Sequence, residues 1–303
     1  MVYVDKFTLP VDKEEHIVHR IMYDNGGRYG YIDNAYPCGL FAEKGLRELN
    51  FDTVTVLYGG NGSGKSTVLN LIAQSLGLKR VAPFNTSETF GLYAAMCEYT
   101  FGRDEDGDTY RLPNGSRIIT SDDIFDYMLN ARANNDDISE SKDAMREEYA
   151  RMKFGETVRL SGLDDYEAVR MQVLARKKSL SRRKFLRNQV GQEIRMGSNG
   201  ETALEYFERY LKNDTLYCLD EPENSLAPKM QMRLAELLEK TARYCGCQYV
   251  IATHSPFLLA LANARIYNLD ESPVAIRKWW ELENPRAYYE FFSKHKKLFD
   301  GGE

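Results

Sequence analysis

Three short stretches of this chain carry residues that could do chemistry together. The first is Gly59-Gly60-Asn61-Gly62-Ser63-Gly64-Lys65-Ser66-Thr67. Glycines at this density let backbone N–H groups turn inward and cradle an anion. Lys65 would reach the β- and γ-phosphates of a nucleotide, and the Ser66 hydroxyl would hold Mg²⁺. The second is Asp220-Glu221-Pro222-Glu223, which closes the apolar run Thr215–Leu219. A carboxylate delivered by a strand to the edge of a sheet, beside the phosphates, can support the same metal, a role for Asp220. Its neighbour Glu221 points elsewhere and can polarise an attacking water as general base. The third is His254, just past the run Gln248–Thr253. A lone histidine there is usually structural, but beside a terminal phosphate it can donate a hydrogen bond and sense whether that phosphate is intact.

The flanking elements fit this use. Val54–Tyr58 is a β-branched, apolar run and Val68–Ala73 is helix-like, so the glycine stretch lies between strand and helix. A glycine-rich turn alone would not need the lysine and serine that follow at this spacing. His16–Tyr23 and Gly30–Ile32 read as strands joined by the turn Asn25-Gly26-Gly27, and Tyr31 or Tyr36 is a candidate to stack on a base. Ala95–Phe101, Thr109–Leu112 and Ser116–Thr120 read as a β-meander, followed by a helix capped within Ser121-Asp122-Asp123 and running to about Asn134. Residues 138–195 are polar and favour helix. Within them, Arg176, Lys177, Lys178, Arg182, Arg183, Lys184 and Arg187 form either a solvated helix face or a contact for nucleic-acid phosphates or an acidic partner.

Helices are expected over Thr202–Leu211, from Pro228 to near Gly246, and from a cap at Asn284 with Pro285 in the first turn. A further strand is expected over Ala264–Leu269. Strands alternating with helices predict an α/β fold with a mainly parallel sheet covered on both sides. The aromatic tail (Trp279, Trp280, Tyr288, Tyr289, Phe291, Phe292) is expected to pack on this core, because its exposure would be a large apolar patch.

Composition sets bounds on this reading. With 303 residues, 43% of them hydrophobic, the chain can bury a large core. The net charge of −5 is too mild to argue for or against nucleic acid, which a local patch would meet. Five cysteines without a disulfide framework suit a reducing compartment, and Cys245-x-Cys247 lacks the second pair that a zinc site needs. No leader-like opening and no apolar run of about 20 residues is present, so a cytoplasmic protein without a membrane segment is expected.

At these residues the sequence resembles the ATP-binding cassette (ABC) superfamily. Gly59 to Ser66 matches its Walker A motif and Leu216 to Glu221 its Walker B. Glu223-Asn224-Ser225-Leu226 stands where its D-loop would be, and His254 where its switch histidine would be. Gly197-Ser198-Asn199-Gly200-Glu201 resembles the signature motif. It departs from leucine-serine-glycine-glycine-glutamine at the first, third and fifth positions, while Ser198 and Gly200 keep a hydroxyl and a bare backbone at a helix start. No convincing Q-loop glutamine is present, and Asp122 is the nearest position.

The runs Asp220–Leu226 and Ala252–Pro256 look like the non-transporter branch. That branch includes chromosome-maintenance and recombination ATPases, the OLD family and small bacterial AAA-type ATPases related to them. From the short tail after His254, no nuclease domain of the OLD kind is expected.

The resemblance implies a P-loop NTPase with an ABC-type head, an antiparallel β subdomain and a helical insert. It would form one ATPase domain over 1–303, with an N-terminal lobe (1–120), an insert (121–195), a signature and Walker B lobe (196–270) and a tail (271–303). It further implies ATP and Mg²⁺ as ligands, and a head-to-tail homodimer formed on ATP. In that dimer one subunit supplies Gly59–Thr67, Asp220, Glu221 and His254, and the other supplies Ser198 and Gly200. The expected function is an ATPase switch controlling a partner effector in DNA maintenance or antiviral defence. The alternatives are a transporter's nucleotide-binding subunit, or a nucleotide-dependent scaffold with little hydrolysis.

Overall fold

A computed structural model describes residues 1–10, 14–16, 36–82, 84, 86–130, 199–224 and 226–300. Tyr31, Ser198, the basic stretch Arg176–Arg187 and most of the first two expected strands lie outside the described residues. The chain divides into two compact units, one of Met1–Phe125 with Ala203–Glu303 and one of Asp126–Thr202. In the second unit the described residues, 126–130 and 199–202, are helical.

The first unit is built on a six-stranded sheet in the order β5 (Arg117–Thr120), β6 (Leu216–Asp220), β7 (Gln248–Ala252), β3 (Val54–Tyr58), β8 (Arg265–Asn268) and β9 (Ala275–Arg277). The first five are parallel and β9 runs antiparallel at the edge. Central parallel strands are covered on both faces and therefore read as unbroken apolar runs. In β3 and β7 every residue is buried. Register aligns the strands layer by layer: Val56 lies beside Ile251 and Ile266, and Leu219 beside Ile251 and Ile119.

Helix α2 (Lys65–Ser75) packs on β6 and β7 through Val68, Leu69, Leu71 and Ile72. The preceding helical turn, α1, is Leu40–Glu43, and α3 (Glu88–Met96) packs on α2. A second, antiparallel sheet has the order β2 (Glu48–Asn50), β1 (Val4–Thr8), β4 (Glu98–Phe101). Its Phe7 and Leu49 join the same hydrophobic core as Leu57, Val68 and Val250. The buried Gln248 side chain stitches the two sheets together. It accepts from Tyr3 N (2.8 Å) and Val4 N (3.0 Å) and donates to Val4 O (2.8 Å).

The α/β class with its antiparallel subdomain is as expected, while several local readings are corrected. The meander does not form. Of its three strands, β4 joins the small sheet beside β1 and β5 joins the parallel sheet beside β6. Thr109 makes only an isolated bridge with Arg103. The turn chemistry was real, since Asp104 Oδ1 accepts from Asp106 N and Asp108 N. A turn does not choose the partner strand, however, and Ile118 and Ile119, both buried, need cover on both faces. Ala95 and Met96 end α3 rather than begin a strand, and Ser87 caps the start of that helix by accepting from Phe90 N (3.1 Å). His16 is helical with residues 14–15 and does not open a strand. The buried Glu15 pins this turn by accepting from Gly39 N and Tyr93 Oη.

The remaining elements are helices α4 (Asn199–Tyr210), α5 (Pro228–Tyr244), α6 (Pro256–Leu259), α7 (Glu283–Lys294) and α8 (Lys296–Phe299). Leu282 holds the cap position of α7, and Asn284 sits inside the helix. The expected packing of the aromatic tail is also corrected. Trp280, Tyr288, Tyr289, Phe291 and Phe292 are all exposed, and only Leu282 and Pro285 are buried there. Among the described residues no helix is long and apolar enough to cross a membrane.

Candidate phosphate-binding site

The glycine stretch forms the turn between β3 and α2, and its shape explains its composition. Gly64, the residue before the helix, has φ +97°, a left-handed conformation that side chains resist. A Cβ at Gly59 would stand 2.5 Å from Ser63 Oγ. Ser63 N donates to Gly60 O (3.2 Å), closing the loop on itself. Lys65 is buried, and its ammonium folds back to donate to Gly59 O (2.7 Å) and Gly60 O (3.0 Å). Ser63 Oγ is buried without a hydrogen-bond partner, which leaves a donor in a loop shaped for an anion. Gly62, Lys65, Ser66, Thr67, Tyr36, Leu40 and Glu221 are among the residues lining a cavity of about 400 Å³ over the loop.

Parallel strands deliver their C-terminal ends to one edge, where ligands of open α/β sheets bind. Ser66 Oγ donates to Asp220 Oδ1 at 2.9 Å, joining the first helical turn to the end of β6. Burial pushes the Asp220 carboxyl up to about 6; the Ser66 hydrogen bond and Lys65 oppose this, and the Glu221 and Glu223 charges add to it. Two hard oxygen donors with an under-compensated carboxylate are a donor set suited to Mg²⁺.

Glu221 adopts φ +46°, and its N donates to Ala252 O. Its side chain therefore turns off the strand direction into the cavity, with Oε1 3.9 Å from Lys65 Nζ and 3.9 Å from His254 Nδ1. Asn224 Nδ2 donates to Oε2 (3.0 Å) and fixes the carboxylate. The sequence-predicted residues Gly59–Thr67, Asp220, Glu221 and His254 are thus brought together. Gly200 is in the first turn of α4.

Three further residues shape the site; Glu223 was named only as part of two runs, and Asp270 and Arg80 were not singled out from sequence. Glu223 is buried. Its Oε1 accepts from Thr253 Oγ1, His254 N (3.1 Å) and Ser255 N (3.2 Å), so one carboxylate holds the whole turn that carries the histidine. Its second oxygen is buried without a partner. The signal was present as an acid two residues past Asp220 and Glu221. Asp270, after β8, accepts from Gly60 N through both oxygens (2.9 and 3.0 Å), a contact across 210 residues with no local pattern to reveal it. Arg80 donates to Asn70 Oδ1 and lies 4.6 Å over the Phe84 ring. Asn70 in turn donates to Ser66 O (2.6 Å).

Tyr36 and Thr67, whose hydroxyls are hydrogen-bonded, line both the main cavity and a second one of about 230 Å³ with Phe84 and Phe90. Asp122 is exposed, whereas Asp123 is buried and accepts from Ala82 N and Thr120 N. The second of these residues, not the first, anchors that helix start.

The glycine loop after β3 and the acids at the end of β6, two strands away, have the arrangement of a P-loop nucleotide-binding domain. Residues 198–260 match the family described as "AAA domain, putative AbiEii toxin, Type IV TA system". This segment holds α4, Asp220 at the end of β6, Glu221 just after it, and His254. Among solved structures, the chain is similar to the Smc head domain with an extended coiled coil bound to the C-terminal domain of ScpA from Pyrococcus furiosus (13% identity, covering 98% of this chain and 100% of that one, TM-score 0.42). It is also similar to an SMC head domain from Thermotoga maritima (16%, 91% and 98%, 0.36). A third is a dimeric ATP-binding cassette in a post-hydrolysis state bound to ADP and phosphate (18%, 77% and 88%, 0.34). No curated protein matches. The family match falls on the segment that holds Asp220, Glu221 and His254.

Proposed function

We propose that this chain is an ATP-hydrolysing switch that closes on ATP as a head-to-tail homodimer and controls a partner effector. The observation that carries the reading is the meeting of Lys65, the Ser66–Asp220 pair, Glu221 and His254 at one sheet edge, where Lys65, Ser66 and Glu221 line a cavity. The loop N–H groups and the start of α2 favour the phosphates, and Lys65 would swing from its carbonyl partners to the β- and γ-oxygens. Ser66 and Asp220 would hold Mg²⁺, which when bound neutralises charge on the phosphates. Glu221 would take the proton of the attacking water, and His254 would donate to the γ-phosphate. Ser198 and Gly200 of the partner subunit would complete each site. The toxin–antitoxin name of the matched family supports a defence role for the effector. A nucleic-acid contact through Arg176–Arg187 belongs to the same proposal, and steep salt dependence of binding would mark it.

The test is calorimetric titration with a non-hydrolysable ATP analogue and Mg²⁺. Lys65→Ala should lose roughly two to three orders of magnitude in affinity, because a buried charge contact is removed from a partly dry site. Unchanged affinity would mean that the glycine loop is not the nucleotide site.

A further inference from the structure

Beside the glycine loop lies the turn that follows β8. Tyr58 pairs with Asn268 in the parallel register of β3 and β8, and Leu269 N still donates to Tyr58 O (2.8 Å). Carried on by two residues, that register sets Asp270 beside Gly60. Both Asp270 oxygens accept from Gly60 N, at 2.9 and 3.0 Å. Taking the glycine loop as the nucleotide site, we propose that Asp270 is the positioning residue for Lys65, acting through the peptide that joins Gly59 to Gly60.

A planar trans peptide points its N–H and its C=O in opposite directions. The N–H of this unit belongs to Gly60 and is gripped by Asp270. Its C=O belongs to Gly59 and accepts from Lys65 Nζ at 2.7 Å. Fixing one end therefore fixes the other. The glycines on either side leave the unit otherwise free to turn over. Turned over, it would set the Gly59 carbonyl against the Asp270 carboxylate and take it from the Lys65 ammonium. The carboxylate selects the orientation that keeps Lys65 buried at the cavity wall. Gly59 serves the same contact, since a Cβ there would stand 3.0 Å from Asp270 Oδ1.

Asp270 is itself held. Its N–H donates to Asn268 Oδ1 (3.1 Å), and Asn268 Nδ2 donates to Glu271 Oε1 (2.7 Å). Glu271 in turn accepts from Arg277 of β9 at Nε (3.0 Å) and Nη2 (2.8 Å). On the other side Lys44 Nζ donates to Leu269 O (2.6 Å) and Ser272 Oγ to Glu43 O (2.9 Å), which ties the turn to α1. A loop arranged before its ligand arrives loses less freedom on binding. Without the grip, part of the population would hold the turned-over peptide, and apparent affinity falls by the fraction that stays competent. Saturating nucleotide selects the competent loop, so cleavage itself is spared.

The experiment is calorimetric titration of the full chain with a non-hydrolysable ATP analogue and Mg²⁺. Asp270→Ala should bind about tenfold more weakly than the parent, the scale of one charge-assisted hydrogen bond. Asp270→Asn keeps an acceptor and should recover to within about threefold. Added to Lys65→Ala, Asp270→Ala should cost less than about twofold more, because the residue through which it acts is gone. Single-turnover cleavage at saturating ATP should stay within about twofold of the parent in both Asp270 variants. Asp270 is exposed, so each variant should fold, which circular dichroism checks. Parental affinity in Asp270→Ala would overturn the inference. So would an Asp270→Asn no tighter than Asp270→Ala, slowed cleavage at saturation, or a full tenfold cost on top of Lys65→Ala. A loss in Lys65→Ala with none in Asp270→Ala would overturn this inference and leave the nucleotide site standing, whereas parental affinity in Lys65→Ala would overturn both.

Discussion

The phosphate-binding edge of the sheet and the C-terminal tail are built on opposite principles. At the edge, four polar residues are fixed from several directions. Lys65 is held by two carbonyls, Ser66 by Asp220, Glu221 by Asn224, and the His254 turn by Glu223. In the tail, large rings face solvent and contact one another. The glycine-loop side of the site is thus pre-organised by hydrogen bonds within one chain, whereas the rings of α7 are left facing solvent. The parallel sheet explains the first, because it brings the ends of β3, β6 and β7 to one side, whatever their separation in sequence.

The comparison breaks most readily at Glu223. Glu223→Ala would strand Thr253 Oγ1 and His254 N, while Ser255 N keeps Thr253 Oγ1 as an acceptor (3.0 Å), and unpaired buried donors cost about 1–3 kcal/mol each. A loss of about 3–5 kcal/mol in chemical unfolding is expected, with Glu223→Gln losing much less because it keeps an acceptor. Equal losses in the two variants would show that the carboxylate, not the acceptor, matters.

Asp220 sharpens the contrast from the other direction. Its carboxyl titrates near 6 instead of its ordinary 3.8, so the fold holds the proton more tightly than the unfolded chain does. Ionisation then penalises the metal-free fold. The penalty is absent below the unfolded value, grows as pH rises between the two, and is complete above about 6. In chelator at pH 7.5, Asp220→Asn should stabilise the protein by at most about 3 kcal/mol, and the gain should fade as pH drops toward 4. A variant less stable than the parent at neutral pH would show that the site is not strained by that charge.

The smallest effect is expected in the tail. A chain ending at Pro285 should stay within about 0.5 kcal/mol of the full protein in unfolding, since no residue removed from α7 is buried. Loss of folding on truncation would mean that the helix supports the core after all.

The edge was legible in the sequence because its signals are local. Glycines, Lys65 and Ser66 are consecutive, and Asp220 and Glu221 close an apolar run. Strand partners were not legible, because β4 and β5 show similar patterns yet enter different sheets, a choice made by Phe7 and Leu219 far away in sequence. Asp270 was invisible for the same reason. The tail misled in another way. Aromatic spacing predicts that a face will be buried, but it does not say that the burying surface lies in the same chain.

If one cavity both holds ATP and cleaves it through Glu221, the decisive experiment is single-turnover hydrolysis by Glu221→Gln at saturating ATP and Mg²⁺. Nucleotide binding should stay close to that of the parent, with cleavage slowed by roughly 10²–10⁴-fold. Cleavage at the parental rate by a variant that binds normally would contradict that role for Glu221.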